Sequence, residues 1–155
     1  MSKGSSKEST LEHKRMITEL MNAVVIELLE RAMVHDNTKL EDPELSLFDE
    51  MTPKLAKCTY GSDEYKGFLK ELQPALEHHY ARYRHHPEHF DNGCKDMNLI
   101  DIIEMLVDWK AATLRHNDGN ILKSLELNRT RFGLDKVTLY DILMNSVEMF
   151  EKHNT

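Results

Sequence analysis

Residues 97–119, MNLIDIIEMLVDWKAATLRHNDG, decide the fold class. Asn98 is a helix N-cap residue, the run to about His116 is apolar almost all round, and Asn117-Asp118-Gly119 supplies a stop. At about 100° per residue, Asp101, Glu104 and Asp108 fall within roughly 60° of one another, and Arg115 lies in the same sector. Ile100, Met105, Ala111 and Ala112 flank them, while Leu99, Ile102, Ile103, Leu106 and Trp109 cover much of the remaining surface. Carboxylates on a mostly buried helix need partners, because an unpaired buried charge is costly and otherwise takes up a proton. Metal, arginine or histidine can each serve. The plainer alternative is a solvated stripe, with Lys110 and Arg115 as surface charges, but the sector is narrow for a water-facing surface.

Working outward, the same 3.6-residue periodicity recurs. Ser9 and Glu12 have capping-box spacing, and Ile17, Leu20, Met21, Val24, Leu28 and Leu29 continue a helix toward His35. Residues 37–62 hold two prolines and a Tyr-Gly-Ser turn signal, which predicts a long connection with one short helix from Pro43 to Glu50. A second long helix is expected from Asp63 to Tyr83, carrying Phe68, Leu72, Ala75, His79 and Tyr83 on one face. The residue before a proline avoids helical geometry, so His86-Pro87 breaks the chain. Two further helices follow, near 120–130 and 136–152. No convincing alternating pattern of a strand appears. The expected architecture is all-α, one compact helical bundle over residues 9–155 behind a flexible tail of residues 1–8.

Composition narrows the function. The 155 residues suffice for one domain with a real core. The 20 basic and 27 acidic residues, net charge −7, argue against an extended nucleic-acid partner. Cys58 and Cys94, the only two cysteines, lack CxxC spacing, so neither a disulfide scaffold nor a thiolate metal site is expected. The polar N-terminus carries no apolar signal core, and no run approaches a membrane span. A soluble cytoplasmic protein is the expectation.

Nine histidines remain to be placed. His35-Asp36 can set two metal-binding side chains on one edge of a backbone segment, and imidazole with carboxylate suits zinc, manganese or iron. Lys39, three residues on, is placed to reach a phosphate oxygen near a metal, although a solvated lysine explains it equally. His78 and His79 diverge by about 100°, and His79 is preferred for its place on the apolar stripe, against the alternative of a hydrogen-bonded core histidine. In HHPEHF (85–90), His86 is chosen over His85, and His89 is not assumed to share a face with either. His116 and His153 read as surface residues. If residues 9–35 form one straight helix, His13 and His35 lie about 33 Å apart, so His13 reaches the site only if the chain folds back.

HDNTK (35–39) resembles the HDxxK variant of the HD-domain superfamily of metal-dependent phosphohydrolases, and the order His13, His35-Asp36, His79, His86, Asp108 is similar to that superfamily's ligand order. In detail the chain is similar to a group of HD-like proteins of bacteria and phages, through RAMVHDNTKLEDPE (31–44), TYGSDEYK (59–66), HHYARYRHHPEHF (78–90) and residues 97–119, covering most of 11–147. The resemblance implies an all-helical fold with His13, His35, Asp36 and Asp108 as primary ligands and His79 and His86 available to a second ion. Asp101 competes with Asp108 as the closing acid.

The expected activity is hydrolysis of a phosphoester or phosphoanhydride, most plausibly of a nucleotide, with one or two divalent ions (Mn, Fe, Zn, Co or Mg). Asp36 with Glu104 or Asp101 would accept the water's proton, and Lys39, Arg82, His86 and Arg115 would contact substrate. Rival readings are a di-iron oxygenase and a non-catalytic nucleotide- or metal-binding module. The expected partner is a small phosphorylated molecule rather than a membrane, with homo-oligomerisation left open.

Overall fold

Helix α1 spans Ser6–Val34 in the computed structural model, which describes residues 5–58, 62–115, 119–139, 141, 142 and 145. Its start is a capping box: the Ser5 hydroxyl accepts from the Glu8 N–H while the Glu8 carboxylate accepts from the Ser5 N–H. The expected start at Ser9 is therefore late by about one turn, because Ser5 and Glu8 have the same spacing as Ser9 and Glu12. Ser5–Glu8, read as part of the tail, are the cap and first turn.

After α1 the chain makes a 3-10 turn at Asn37–Leu40 and enters α2, Glu44–Leu55. This helix is longer than expected and contains Pro53. A proline here removes one backbone hydrogen bond, and burial of Met51 with Leu47, Phe48 and Leu55 against Leu72, Ala75, Phe68 and Leu76 offsets that loss. Those partners belong to α3, Asp63–Arg82, whose N-cap is Ser62. Its residues on the expected apolar face, Leu72, Ala75 and His79, are buried.

Two 3-10 turns, Pro87–His89 and Gly93–Asp96, lead to α4, Leu99–Thr113. Asn98 caps it as expected, reciprocated by Asp101. The helix ends at Thr113, and the proposed stop at Asn117 and Asp118 lies outside the described residues. Helix α5, Ile121–Phe132, is capped by Asn120 and closed by Gly133, whose φ of 60° is the left-handed geometry that glycine tolerates. The helix expected over 136–152, and His153, fall largely outside the described residues; a 3-10 turn at Leu134–Lys136 precedes them.

The fold is thus all-α, with no strand among the described residues. Among the described residues it holds two small apolar cores. One joins α2 to α3; the other gathers Cys94, Met97 and Met105 with Phe90, Trp109, Phe132 and Val137 around α4 and α5. The α2–α3 pair and the α1–α4 pair meet at a polar seam between these cores. No described helix is long and apolar enough to cross a membrane.

Burial distinguishes the two thiols. Cys94 is buried, which pushes its thiol up to about 11, whereas Cys58 is only half-buried. In a thiol titration at pH 8, Cys58 is expected to react in the folded protein and Cys94 only after denaturant is added. Equal rates for both in native buffer would contradict this packing.

Candidate metal centre

His35 ends α1, and Asp36 follows with a φ of 57°, a conformation rare for a non-glycine residue but most accessible to Asp and Asn. This reversal turns both side chains toward the seam. The 3-10 turn that follows brings Lys39 Nζ to 2.7 Å from Asp36 Oδ2 and the Thr38 N–H to 2.8 Å from Tyr83 Oη. This turn is therefore tied to the end of α3.

From α3 comes His79, buried, with Nδ1 2.9 Å from Glu44 Oε2; its neighbour His78 places Nδ1 2.7 Å from Glu44 Oε1. Burial opposes ionisation of Glu44, but hydrogen bonds from Thr38 and the two histidines hold its pKa below the usual range. An ionised carboxylate only accepts, so each Nδ1 carries the proton it donates. The Nε2 of His79 then faces Asp36 Oδ1 at 3.1 Å and His86 Nε2 at 2.9 Å. Pro87 keeps His86 extended (φ −96°, ψ 125°), which aims the ring back at α3. Burial, then the nearby His85 and His79 charges, depress His86 to about 3, so its ring is neutral at ordinary pH.

The acidic stripe of α4 meets the last turn of α1. Arg31 and His35, four residues apart, share one face of α1. Arg31 Nη1 reaches Asp101 at 2.7 Å and Glu104 at 3.2 Å. His35 Nδ1 lies 2.9 Å from Glu104 Oε1, and its Nε2 is 3.8 Å from both Asp36 and Asp108. Asp108 and Glu104 raise the His35 pKa to about 10 despite partial burial. Burial resists ionisation of Asp36 and Glu104, but His79 and Lys39 around the first, and His35, His85 and Arg31 around the second, hold both well below the usual carboxylate range.

His85 lies between these halves. Its ring centre lies 4.3 Å from that of His35 and 4.1 Å from that of His86, tilted against both, and it is fully buried. Its Nδ1 sits 3.1 Å from Glu104 Oε1 and its Nε2 3.6 Å from Asp36 Oδ1, yet both nitrogens and Asp36 Oδ1 lack a hydrogen-bond partner. Orphaned buried polar atoms are rare and demand an explanation such as an ion. Two donor sets converge there: Asp36, His79, His85 and His86 form one, and His35, His85 and Glu104 the other, each with its donor atoms within 4.8 Å. The contacts of 2.9 and 3.1 Å around His79 Nε2 match neighbouring ligands each about 2.1 Å from one ion. Glu44 behind His79 supplies the outer carboxylate that metal-bound histidines usually have. These residues could hold a metal ion.

Of the residues expected at the site, His35, Asp36, His79, His86 and Glu104 assemble, with Lys39 at its edge and Asp108 beside His35. His13 does not: it is exposed in the second turn of an unbroken 29-residue helix, so the distance that sequence geometry anticipated excludes it. Asp101 does not either. It is fully buried, accepts from Arg31, from Arg84 at 3.0 and 2.8 Å and from the Asn98 N–H at 2.9 Å, and has no capacity left for an ion. Arg82 and Arg115 are exposed, and neither side chain pairs with a site residue. His85 was passed over for His86, since no local signal orients two histidines on an extended segment. Glu44 was missed altogether. The i, i+4 spacing of Arg31 and His35, matched to the α4 stripe, was the legible clue to the helix pairing.

The metal-free chain has a definite pH signature. His35, raised to about 10 from an ordinary 6.5, contributes stability that is complete below pH 6.5 and lost as pH rises through 10. His86, depressed to about 3 from 6.5, contributes stability present above 6.5 and lost as pH falls. Thermal melts in chelator are expected to peak near neutrality, and His35→Gln to flatten the alkaline limb alone. A flat profile from pH 6.5 to 10 in the wild type would contradict the assignment.

Fold and site together define an all-helical protein with a buried histidine and carboxylate centre that could hold a metal ion. The chain belongs to the family of unknown function DUF5662, whose model matches residues 2–151. Neither the curated proteins nor the solved structures contain a match to it.

Proposed function

We propose that this chain is a metal-dependent phosphohydrolase of the HD-domain type, acting on a nucleotide or a related small phosphoester or phosphoanhydride. The observation that carries the reading is the orphaned His85 ring facing the equally orphaned Asp36 Oδ1 inside a ring of histidines. Asp36, His79, His85 and His86 would hold one ion, and His35 and Glu104 with His85 a second donor set. A divalent ion held there would supply a water of pKa near neutrality and polarisation of a phosphoryl oxygen.

The chain's own residues supply the rest. Glu44 fixes the His79 tautomer, so its Nε2 lone pair points inward. Lys39, about a third exposed, paired with Asp36 and lying over the Phe48 ring, would have to shift its ammonium from these contacts to reach a phosphate oxygen. Asp108, next to His35 and not needed by either donor set, is placed to take a proton or hold a water. The HDNTK resemblance gives the reaction class, since fold alone does not dictate it.

The test is a phosphate-release screen over nucleotides with added Mn, Co, Mg, Fe or Zn. Metal-dependent turnover is expected, lost in Asp36→Ala and kept in His13→Ala. Two bound irons with oxygen uptake would move the assignment to a di-iron oxygenase. Ligand-induced stabilisation without turnover across the panel would move it to a binding module.

A further inference from the structure

The histidines of the centre are not held alike. His79 has the usual arrangement of a metal-binding ring: Nδ1 donates to Glu44 at 2.9 Å, which leaves Nε2 turned inward. His85 has no such outer partner. It is 1% exposed, and neither of its nitrogens makes a hydrogen bond. Its Nδ1 lies 3.1 Å from Glu104 Oε1 and its Nε2 3.6 Å from Asp36 Oδ1, which is orphaned as well. A neutral imidazole carries one N–H and one lone pair, so a single ion would satisfy one nitrogen and leave the other bare. Leaving a buried polar atom bare is costly.

We propose, on the metal reading of the site, that His85 bridges two ions, one on each ring nitrogen. On the Nε2 side stand Asp36, His79 and His86; on the Nδ1 side stand His35 and Glu104. Glu104 Oε1 lies 2.9 Å from His35 Nδ1 and 3.1 Å from His85 Nδ1. Those contacts repeat the ones around His79 Nε2, and they are the spacing of donors each about 2.1 Å from a common ion. The bonds balance. Each nitrogen gives a lone pair to one ion, the ring N–H bond breaks, and its proton leaves to solvent, as metal binding to ionisable ligands requires. The imidazolate, Asp36 and Glu104 then set three negative charges against the four positive charges of two divalent ions.

The two positions differ in what they leave open. Three histidines and a carboxylate give four protein ligands, the number of a closed structural site. Two histidines and a carboxylate give three, the number at which a catalytic site keeps a place for water. Arg31 holds the second oxygen of Glu104 at 3.2 Å, so Glu104 offers a single oxygen and that place stays free. Asp108, 3.8 Å from His35 Nε2, stands beside it as a proton acceptor. The Asp36 side is therefore the anchor and the Glu104 side the working position. Two bonds of about 2.1 Å laid across one ring hold the ions about 6 Å apart, beyond the roughly 3.5–4 Å of centres that clamp one oxygen between two metals.

Copper(II) reports both the number of ions and the bridge, because an imidazolate couples two copper spins into a pair with almost no resonance signal at liquid-helium temperature. The full chain, stripped with chelator, loaded with copper(II) and gel-filtered, is expected to carry two ions and to lose most of its integrated signal relative to the copper found by elemental analysis. Copper that remains on His85→Ala after the same treatment is subtracted as surface-bound. Glu104→Gln, which keeps the side chain's shape, should hold one ion with its full signal and unchanged circular dichroism. His35→Gln should give the same one-ion product, so a misfolded first variant leaves the question decidable. A wild type that holds one ion and still releases phosphate with added metal overturns the bridge and leaves the hydrolase reading standing. Two ions with full signal also overturn the bridge, as do variants that keep two coupled ions. A chain that binds no ion overturns both.

Discussion

His85→Ala is expected to lose bound metal while keeping its fold. His85 is the one residue shared by both donor sets, and it offers a ring nitrogen to each. In the metal-free chain those nitrogens are buried without hydrogen bonds, each at a cost of roughly 1–3 kcal/mol. Removing the ring relieves that cost and leaves a small cavity of comparable cost, so the chelated variant should match the chelated wild type to within about 1 kcal/mol. With metal the two diverge. At a hundredfold excess over its dissociation constant, an ion adds about 2.7 kcal/mol to the wild type, or roughly 5–10 °C in melting temperature for a chain of this size. The variant should gain almost nothing, and elemental analysis should find it largely free of metal. Glu44→Gln, which leaves the donor set intact but loosens His79, should weaken binding by only about 10–100-fold. Full metal content in His85→Ala would show that the histidine ring gathers for another reason.

Asp101→Ala should be the most destabilising single substitution in the chain and should act without touching the metal. Asp101 is fully buried and carries four hydrogen bonds, from Arg31, twice from Arg84 and from the Asn98 backbone. Its loss removes the reciprocal half of the α4 cap and the tie from α4 to α1. Breaking a buried pair costs about 3–5 kcal/mol because the remaining charge stays behind. Arg84 is substantially exposed and can regain water, which places the expected loss toward the lower end, near 3 kcal/mol and roughly 10 °C. Asp101→Asn should recover part of the cap and little of the charge pairing. The measurement is a thermal melt beside elemental analysis at low temperature. A stable Asp101→Ala that has lost its metal would return this residue to the ligand set that sequence reasoning allowed it.

The two outcomes separate residues that look alike in one dimension. Asp101, Glu104 and Asp108 share a sector of one helix, and that much follows from 100° steps. Which of them meets arginine and which meets histidine depends on where α1 crosses, and local spacing does not encode a crossing. Asp101 lands beside Arg31 and becomes a brace; Glu104, one turn later, spans Arg31 and His35; Asp108, another turn on, borders His35 and meets no arginine among the ion pairs of the described residues.

The linear chain by itself determined what short-range forces decide. Caps at Ser62, Asn98 and Asn120, the break at His86-Pro87, the apolar face of α3 and the His-Asp turn all depend on contacts within a few residues, where backbone sterics and local hydrogen bonds dominate. It also showed in advance that a continuous helix, a rigid ruler, would hold His13 away from His35, although the family resemblance kept His13 among the ligands. The tertiary structure alone decided that His85 joins His86, that Glu44 of three nearby acids turns inward to hold His79, and that Asp101 is spent on two arginines. Those choices are made by packing between segments distant along the chain. Burial there sets which charges must be paired, and only the assembled fold says which groups are close enough to pair them.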